Sequence, residues 1–443
     1  MTPWIRTMPT VAADAAEAVL ATRPAAVHPI DDGYILEFPV GDARLEVVAR
    51  ASDEGPWRAG PLSLTVRRPT EAVLREPMVR RWLADWSERF SSEGASADGQ
   101  RLHDALQAVR MFADQDDGML RRLEQTWFGQ VGMLRLGFLC NQDCWFCPQS
   151  RGWMDPPRAL VETWLAELAD AGVDMVTLTG GEPSAYPWFC ETLAEARRLG
   201  LATLVQTNAI RFAHERFVRR ARQAGLDLAF VSFHSHEAEV SDRLTRSPGT
   251  WRKTVAGIHG LLDAGVGVAL NACITKDNVA GLPGWADFVV RSFVDGHPDN
   301  PIQAVDLSRP GQYFARHLLV DSLVPIDEVR GPLVEATGRL VEAGVVVNAT
   351  GACGFVPCVF HEAPELVPWR PRERLDDNDM SNRRFVDEVC DGCAARGHCP
   401  GLRHEVAQTF GARGLRPFER IGEAREEALD PRELVARSRR RNG

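Results

Sequence analysis

From Val131 onward, strand-like and helix-like segments alternate, and that alternation leaves few folds open. Apolar and β-branched runs at 133–139, 175–179, 202–207, 228–233, 267–273 and 303–307 read as strands. Between them, 160–171, 188–199, 213–224, 251–264 and a segment around 285–293 carry apolar residues at helical spacing. A parallel neighbour requires a crossover long enough to hold a helix. Six such units therefore predict an α/β fold, a partial (β/α)6 TIM-like barrel over residues 129–345 with right-handed crossovers. Eight would close a full barrel.

The flanks follow other rules. Residues 1–128 read as a small α+β N-terminal domain, with strands at 34–40, 43–50 and 62–67 and Gly41-Asp42 as a two-residue hairpin turn. Val79, Trp82, Leu83, Trp86 and Phe90 recur at helical spacing and would lay an aromatic stripe on that sheet. A polar break at 91–100 precedes a further helix at 102–123. Past a helix at 329–343, residues 346–443 are rich in Gly, Pro and Cys with little periodicity, an irregular extension expected to fold around metal. Its last basic run, Arg437 to Arg441, reads as a solvated tail.

Charge and hydropathy narrow the classes of function. A net charge of -10 argues against binding nucleic acid through its phosphates. Nowhere does an apolar run approach the roughly 18 residues that span a bilayer, and the N-terminus lacks a basic start followed by an apolar stretch. A cytoplasmic protein is expected. In that compartment ten cysteines call for metal and not for disulfides.

Eight of the ten fall into two groups. Cys140, Cys144 and Cys147 stand within eight residues where the first strand ends, with no histidine or fourth cysteine nearby. A structural zinc site takes four protein ligands, whereas three thiolates can hold a four-iron cluster with one iron open. The second strand ends in Gly180, Gly181, Glu182 and Pro183, whose glycines would let a ligand approach the backbone and whose carboxylate would accept from an amine. Barrels of this kind keep reactive groups at the C-terminal ends of their strands.

These residues, together with Phe146 before the third cysteine, resemble the radical S-adenosylmethionine (SAM) enzymes over about residues 131–345. The resemblance implies that Cys140, Cys144 and Cys147 bind a [4Fe-4S] cluster whose open iron chelates SAM. A low-potential donor of flavodoxin or ferredoxin type would then drive cleavage to a 5'-deoxyadenosyl radical that takes hydrogen from substrate. It also implies SAM contacts at Phe146, Gly180 to Pro183, Asn208 and Asn271, although Ala209 stands where many members have glycine after Thr-Asn.

Other strand-end residues are candidates for substrate chemistry. His234, His236 and Arg243 are the foremost, followed by Arg246, Asp306 and Arg309, each set against the plain reading of a hydrogen-bonded or solvated side chain. Cys190 and Cys273 read as small buried hydrophobes.

The second group is Cys353, Cys358, Cys390, Cys393 and Cys399. The spacing from Cys390 to Cys399, followed by Pro400-Gly401, resembles the twitch or SPASM extensions of radical SAM enzymes. That implies one auxiliary [4Fe-4S] cluster on Cys358, Cys390, Cys393 and Cys399, with Cys353 the spare thiol and zinc the alternative. The functional expectation is peptide maturation. The alternatives are dehydrogenation or rearrangement of a small-molecule intermediate and, from a different class, a zinc-stapled binding protein.

Overall fold

A computed structural model of the chain describes residues 7–11, 26–30, 33–40, 43–50, 62–67, 121–126, 129–147, 155–156, 158–310, 322–350, 354–369, 383–422 and 431–442, with backbone alone before residue 131. The chain divides into two compact units, Met1–Met119 with Gln149–Met154, and Leu120–Pro148 with Asp155–Gly443.

The first unit carries a five-stranded sheet, β1 (Thr7–Val11), β2 (Ala26–Ile30), β3 (Gly33–Val40), β4 (Ala43–Arg50) and β5 (Leu62–Arg67), in the order β1-β5-β4-β3-β2 with every pair antiparallel. Val40 pairs with Ala43, so the predicted two-residue connection joins β3 and β4. Two strands exceed the expected three. Pro29 argues against a strand in sequence, and β2 accommodates it by lying at the sheet edge. The helix expected around Val79 to Phe90 lies outside the described residues.

The second unit holds the alternating strands and helices. In chain order they are β6 (Arg121–Thr126), β7 (Gly129–Arg135), α1 (Arg158–Asp170), β8 (Met175–Thr179), α2 (Phe189–Arg198), β9 (Ala202–Thr207), α3 (Glu215–Ala224), β10 (Leu228–Ser232), α4 (Ala238–Thr245), α5 (Thr250–Asp263), β11 (Gly267–Cys273), α6 (Leu282–Val289), β12 (Ala304–Ser308), α7 (Ile326–Glu342) and β13 (Val346–Asn348). Strands β7 to β13 pair in sequence order and in parallel, and β6 runs antiparallel along β7. The sheet is open, since β6 and β13 are its two edges. Burial on both faces explains the continuous apolar runs of the inner strands, β8 being buried at every residue.

Two expectations are corrected. Residues 121–123, read as the end of a helix, begin β6, because Arg121 to Thr126 pair antiparallel with Leu134 back to Gly129. A seventh parallel strand, β13, escaped notice because three residues carry no readable period.

The arginine-rich C-terminus is likewise not a solvated tail. Beyond the two-stranded pair β14 (Arg383–Arg384) and β15 (Leu402–Arg403) and helix α8 (His404–Phe410), residues Pro431–Asn442 form α9. Its Leu434 and Val435 pack in one core cluster with Val131, Met175, Ala202, Leu204, Leu228, Ala269 and Ala304. Arg439 forks onto Asp227 at 2.9 and 2.8 Å, and Arg432 reaches Asp174 at 3.3 Å. Asp227 and Asp174 immediately precede β10 and β8, so α9 stoppers the N-terminal mouth of the half-barrel. Among the described residues, no helix is long and apolar enough to cross a membrane.

Candidate functional site

At the opposite mouth, the chain leaving β7 is zipped to the end of β8. Leu136 N–H donates to Thr179 O at 2.9 Å, Gly181 N–H to Gly137 O at 2.8 Å, and Glu182 N–H to Leu139 O at 2.7 Å. Backbone meets backbone so closely that a Cβ on Gly180 would lie 2.3 Å from Gly137 O, and one on Gly181 2.3 Å from Leu139 O. The glycine pair was expected to admit a ligand. In the structure it also admits, backbone against backbone, the segment that leads from β7 into the thiol loop.

Glu182, expected as an acceptor for an amine, already has donors within the protein. Its side chain is buried, and its Oε1 accepts from Ser184 N–H at 3.1 Å, Ser184 Oγ at 2.6 Å and Thr207 Oγ1 at 2.7 Å. Oε2 accepts from Asn208 N–H at 2.7 Å. Burial raises its pKa, and the four donors oppose the rise. Pro183 opens the short helical turn Pro183–Ala185 that presents Ser184 to this carboxylate. Glu182 thus fastens the β8 turn to the end of β9.

The same β9 end holds the thiol loop. Asn208 Nδ2 donates to Asn141 Oδ1 at 2.6 Å, between Cys140 and Cys144 in sequence. Ala209 adopts the left-handed conformation, φ 59°, which accounts for the glycine that the resemblance expects there. Three further bonds dock the loop onto α4 and α5: Asp143 N–H to Thr245 O at 2.9 Å, Trp145 N–H to Leu244 O at 3.2 Å, and Gln142 Nε2 to Thr250 Oγ1 at 3.1 Å. Phe146 is buried among Leu244 and Cys273 and meets His234 edge-on at 5.0 Å, so it anchors the loop from below. Above it, Cys140 and Cys144 are half-buried and Cys147 is exposed.

The two histidines part company. His234 is buried, accepts from Cys273 N–H through Nδ1 at 3.2 Å, and has its pKa pushed down to about 4 by burial. It is a neutral ring in the wall beneath the loop. His236 instead packs its ring on the start of α6, where a Cβ on Gly284 would lie 2.8 Å from Nε2. Arg243 and Arg246 are exposed.

Asn271, Asp306 and Asn348 stand side by side in register across β11, β12 and β13. Asp306 accepts from Asn271 Nδ2 at 3.0 Å and from Asn348 Nδ2 at 2.5 Å, and burial raises its pKa to about 6 against those two bonds. The Asn271 amide also reaches Ser308 Oγ at 2.9 Å, so it is engaged with this polar row. Arg309 is buried with its guanidinium over Phe355, 4.3 Å from the ring centre. Cys190 and Cys273 are buried.

In the extension, Cys358, Cys390, Cys393 and Cys399 line one cavity together with Phe385, Arg396, Arg416 and Phe418. Backbone N–H groups point at the sulfurs: Gly401 to Cys399 Sγ at 3.3 Å, Phe418 to Cys393 Sγ at 3.3 Å, and Arg416 to Cys358. Burial and then the neighbouring thiols push Cys358 up to about 11 and Cys399 up to about 12. Cys353 lies outside the described residues. No three His, Cys, Asp or Glu side chains among the described residues form a ready-made site for a single metal ion.

Sequence reasoning missed Arg330 on α7, whose Nη2 donates to Cys358 O at 3.3 Å. A signal existed: Arg330 falls on the stripe of Ile326, Val329, Leu333, Ala336 and Leu340, where a charge must find a partner.

An open parallel αβ barrel with a thiol loop at its C-terminal mouth is the framework of a barrel enzyme. Residues 134–293 match the family model of the Radical SAM superfamily, and curated relatives support the same superfamily for this segment. The AdoMet-dependent heme synthase of Methanosarcina barkeri is 28% identical over 144 residues, 32% of this chain and 41% of its own. The PqqA peptide cyclase of Rhodopseudomonas palustris is 29% identical over 155 residues, 34% of this chain and 41% of its own. The chain thus spans about two fifths of the length of each. Both names are enzyme names, and the similarity of this chain to the radical SAM superfamily lies in residues 134–293. Among solved structures, Streptococcus suis SuiB bound to S-adenosylmethionine aligns over 67% of this chain and 65% of its own, at 15% identity and a TM-score of 0.43.

Proposed function

We propose that the chain is a radical SAM enzyme of peptide maturation, with its initiating [4Fe-4S] cluster on Cys140, Cys144 and Cys147 and one auxiliary [4Fe-4S] cluster on Cys358, Cys390, Cys393 and Cys399. The observation that carries the first site is the thiol loop itself, three sulfurs clamped at the barrel mouth by backbone bonds to β8, its turn and α4 and by a side-chain bond to α5. Three thiolates suit a four-iron cluster with a vacant coordination position better than closed zinc. Four thiols lining one cavity and receiving backbone N–H groups suit a closed cluster.

When bound, cluster and SAM supply reductive cleavage to a 5'-deoxyadenosyl radical, fed by a low-potential donor. The chain's own residues hold the geometry. Gly180 and Gly181 let the β8 turn approach the loop, Glu182 ties that turn to β9, and Asn208 ties β9 to Asn141. The Asn271, Asp306 and Asn348 row lies at the strand ends where substrate would enter, and Asp306 there can hold or release a proton near neutrality.

The peptide cyclase supports a peptide substrate, and the heme synthase favours the second reading, a small-molecule intermediate. Anaerobic protein incubated with SAM and dithionite tests the first site: wild type should release 5'-deoxyadenosine, and a Cys144→Ala variant that still does so refutes it. For the substrate, release should quicken with peptides; quickening with porphyrin precursors alone would favour the second reading.

A further inference from the structure

The second thiol site is braced by α7, and the side chain that reaches it from that helix is Arg330. It is 8% exposed. Its Nη2 joins the carbonyl oxygens of Cys358, at 3.3 Å, and Gly414, at 2.6 Å, while Nε is buried without an acceptor among the described residues.

The loop carrying Gly414 is pinned to the same helix. Arg413 pairs with Asp327 at 3.0 Å and with Glu328 at 2.7 Å, and Gly414, at φ +75°, presses so near that a Cβ would lie 2.4 Å from Asp327 N. Glu362 pairs with Arg416. Those carboxylates are paired with Arg413 and Arg416, and Arg330, although it still feels Arg416, Glu362 and Asp327, is the cation hydrogen-bonded to the backbone of Cys358. In a low-dielectric setting such a charge is strongly felt, and charge and hydrogen bonds around the sulfurs are what set the potential of an iron–sulfur cluster.

We propose that Arg330 sets the reduction potential of a cluster held by Cys358, Cys390, Cys393 and Cys399, raising it by placing a buried cation beside Cys358. The inference rests on the cluster reading of that site. Reduction adds negative charge, which the guanidinium stabilises, so removing the guanidinium disfavours the reduced form. Arg330 is a positioning and tuning residue: it binds backbone carbonyls and makes no bond to a sulfur.

The test is a redox titration followed by electron paramagnetic resonance on full-length protein reconstituted anaerobically, in a Cys144→Ala background that leaves the second site as the source of signal. Arg330→Gln should shift the reduction equilibrium at least tenfold toward the oxidised form, about 59 mV lower for a one-electron couple. Arg330→Lys keeps the charge and should stay within about threefold of the parent, well under that 59 mV step. An unshifted potential in Arg330→Gln overturns the proposal. Loss of the second-site iron in Arg330→Gln but not in Arg330→Lys overturns it, since the charge would then hold the cluster in place and not set its potential. Loss in both overturns it, since Arg330 would only brace the loop. If Cys358→Ala removes no iron from the parent, the cluster reading itself falls, and the proposal with it.

Discussion

A buried carboxylate persists only where donors surround it, and Glu182 has four, drawn from its own turn and from β9. Glu182→Gln would set an amide N–H₂ against backbone and hydroxyl donors, so it should cost about 2 kcal/mol or more, read in denaturant unfolding of the anaerobic protein. An unchanged midpoint would contradict its role as a tie. His234 gives a prediction in pH. Its folded pKa, about 4, lies below the ordinary histidine value, so its contribution to stability is whole above that value and is lost as pH falls toward 4. His234→Asn, keeping an acceptor for Cys273 N–H, should blunt the loss between about pH 6.5 and 4 by up to about 3 kcal/mol. Equal acid sensitivity in both proteins would show His234 uninvolved. Both residues were visible in sequence as polar groups at strand ends. What each faces was not, since two of the four donors to Glu182 come from the end of β9 and the partner of His234 from the end of β11.

At the scale of elements, the joint between the β7 loop and the β8 turn depends on two residues without side chains. Gly181→Ala would thrust a Cβ to 2.3 Å from Leu139 O and 2.5 Å from Phe138 O. The backbones must part, at a cost of about 1–3 kcal/mol, and the first site should lose iron on reconstitution while the second keeps it. Retention of iron at both sites would show the joint to be looser than its geometry. Ala209→Gly, by contrast, removes a Cβ from left-handed backbone and should stay within about 1 kcal/mol of wild type. Six of the seven parallel strands were legible from apolar runs, because strands buried on both faces need such runs. Among those that escaped are strands that lack the signal: β13 with three residues, β1 and β2 with Pro9 and Pro29 at the two sheet edges, and β6, whose identity depends on pairing with β7.

Across the whole second unit, the half-barrel is finished at both mouths, at one by its own first connection and at the other by chain from beyond the six units. The thiol loop caps one end and α9 stoppers the other, with Leu434 and Val435 in the same cluster as residues of six strands, β7 to β12. Leu434→Ala should therefore destabilise the barrel by about 2–5 kcal/mol, as a core truncation does, seen as a lower denaturant midpoint. A change within about 0.5 kcal/mol, typical of a surface position, would contradict the stopper. The basic run hid this helix: two apolar residues among arginines read as a tail, and the carboxylates that receive Arg432 and Arg439 lie more than 200 positions earlier in the chain. The cysteine groups were legible for the opposite reason, since cysteines declare themselves by residue type and local spacing, and four thiols of the second group line one cavity. The central claim is that the chain carries two four-iron sites. Iron and sulfide analysis of anaerobically reconstituted protein tests it most directly. Wild type should be brown with about eight irons and as many sulfides, and Cys358→Ala should hold about four; colourless protein with stoichiometric zinc, or iron unchanged by Cys358→Ala, would contradict it.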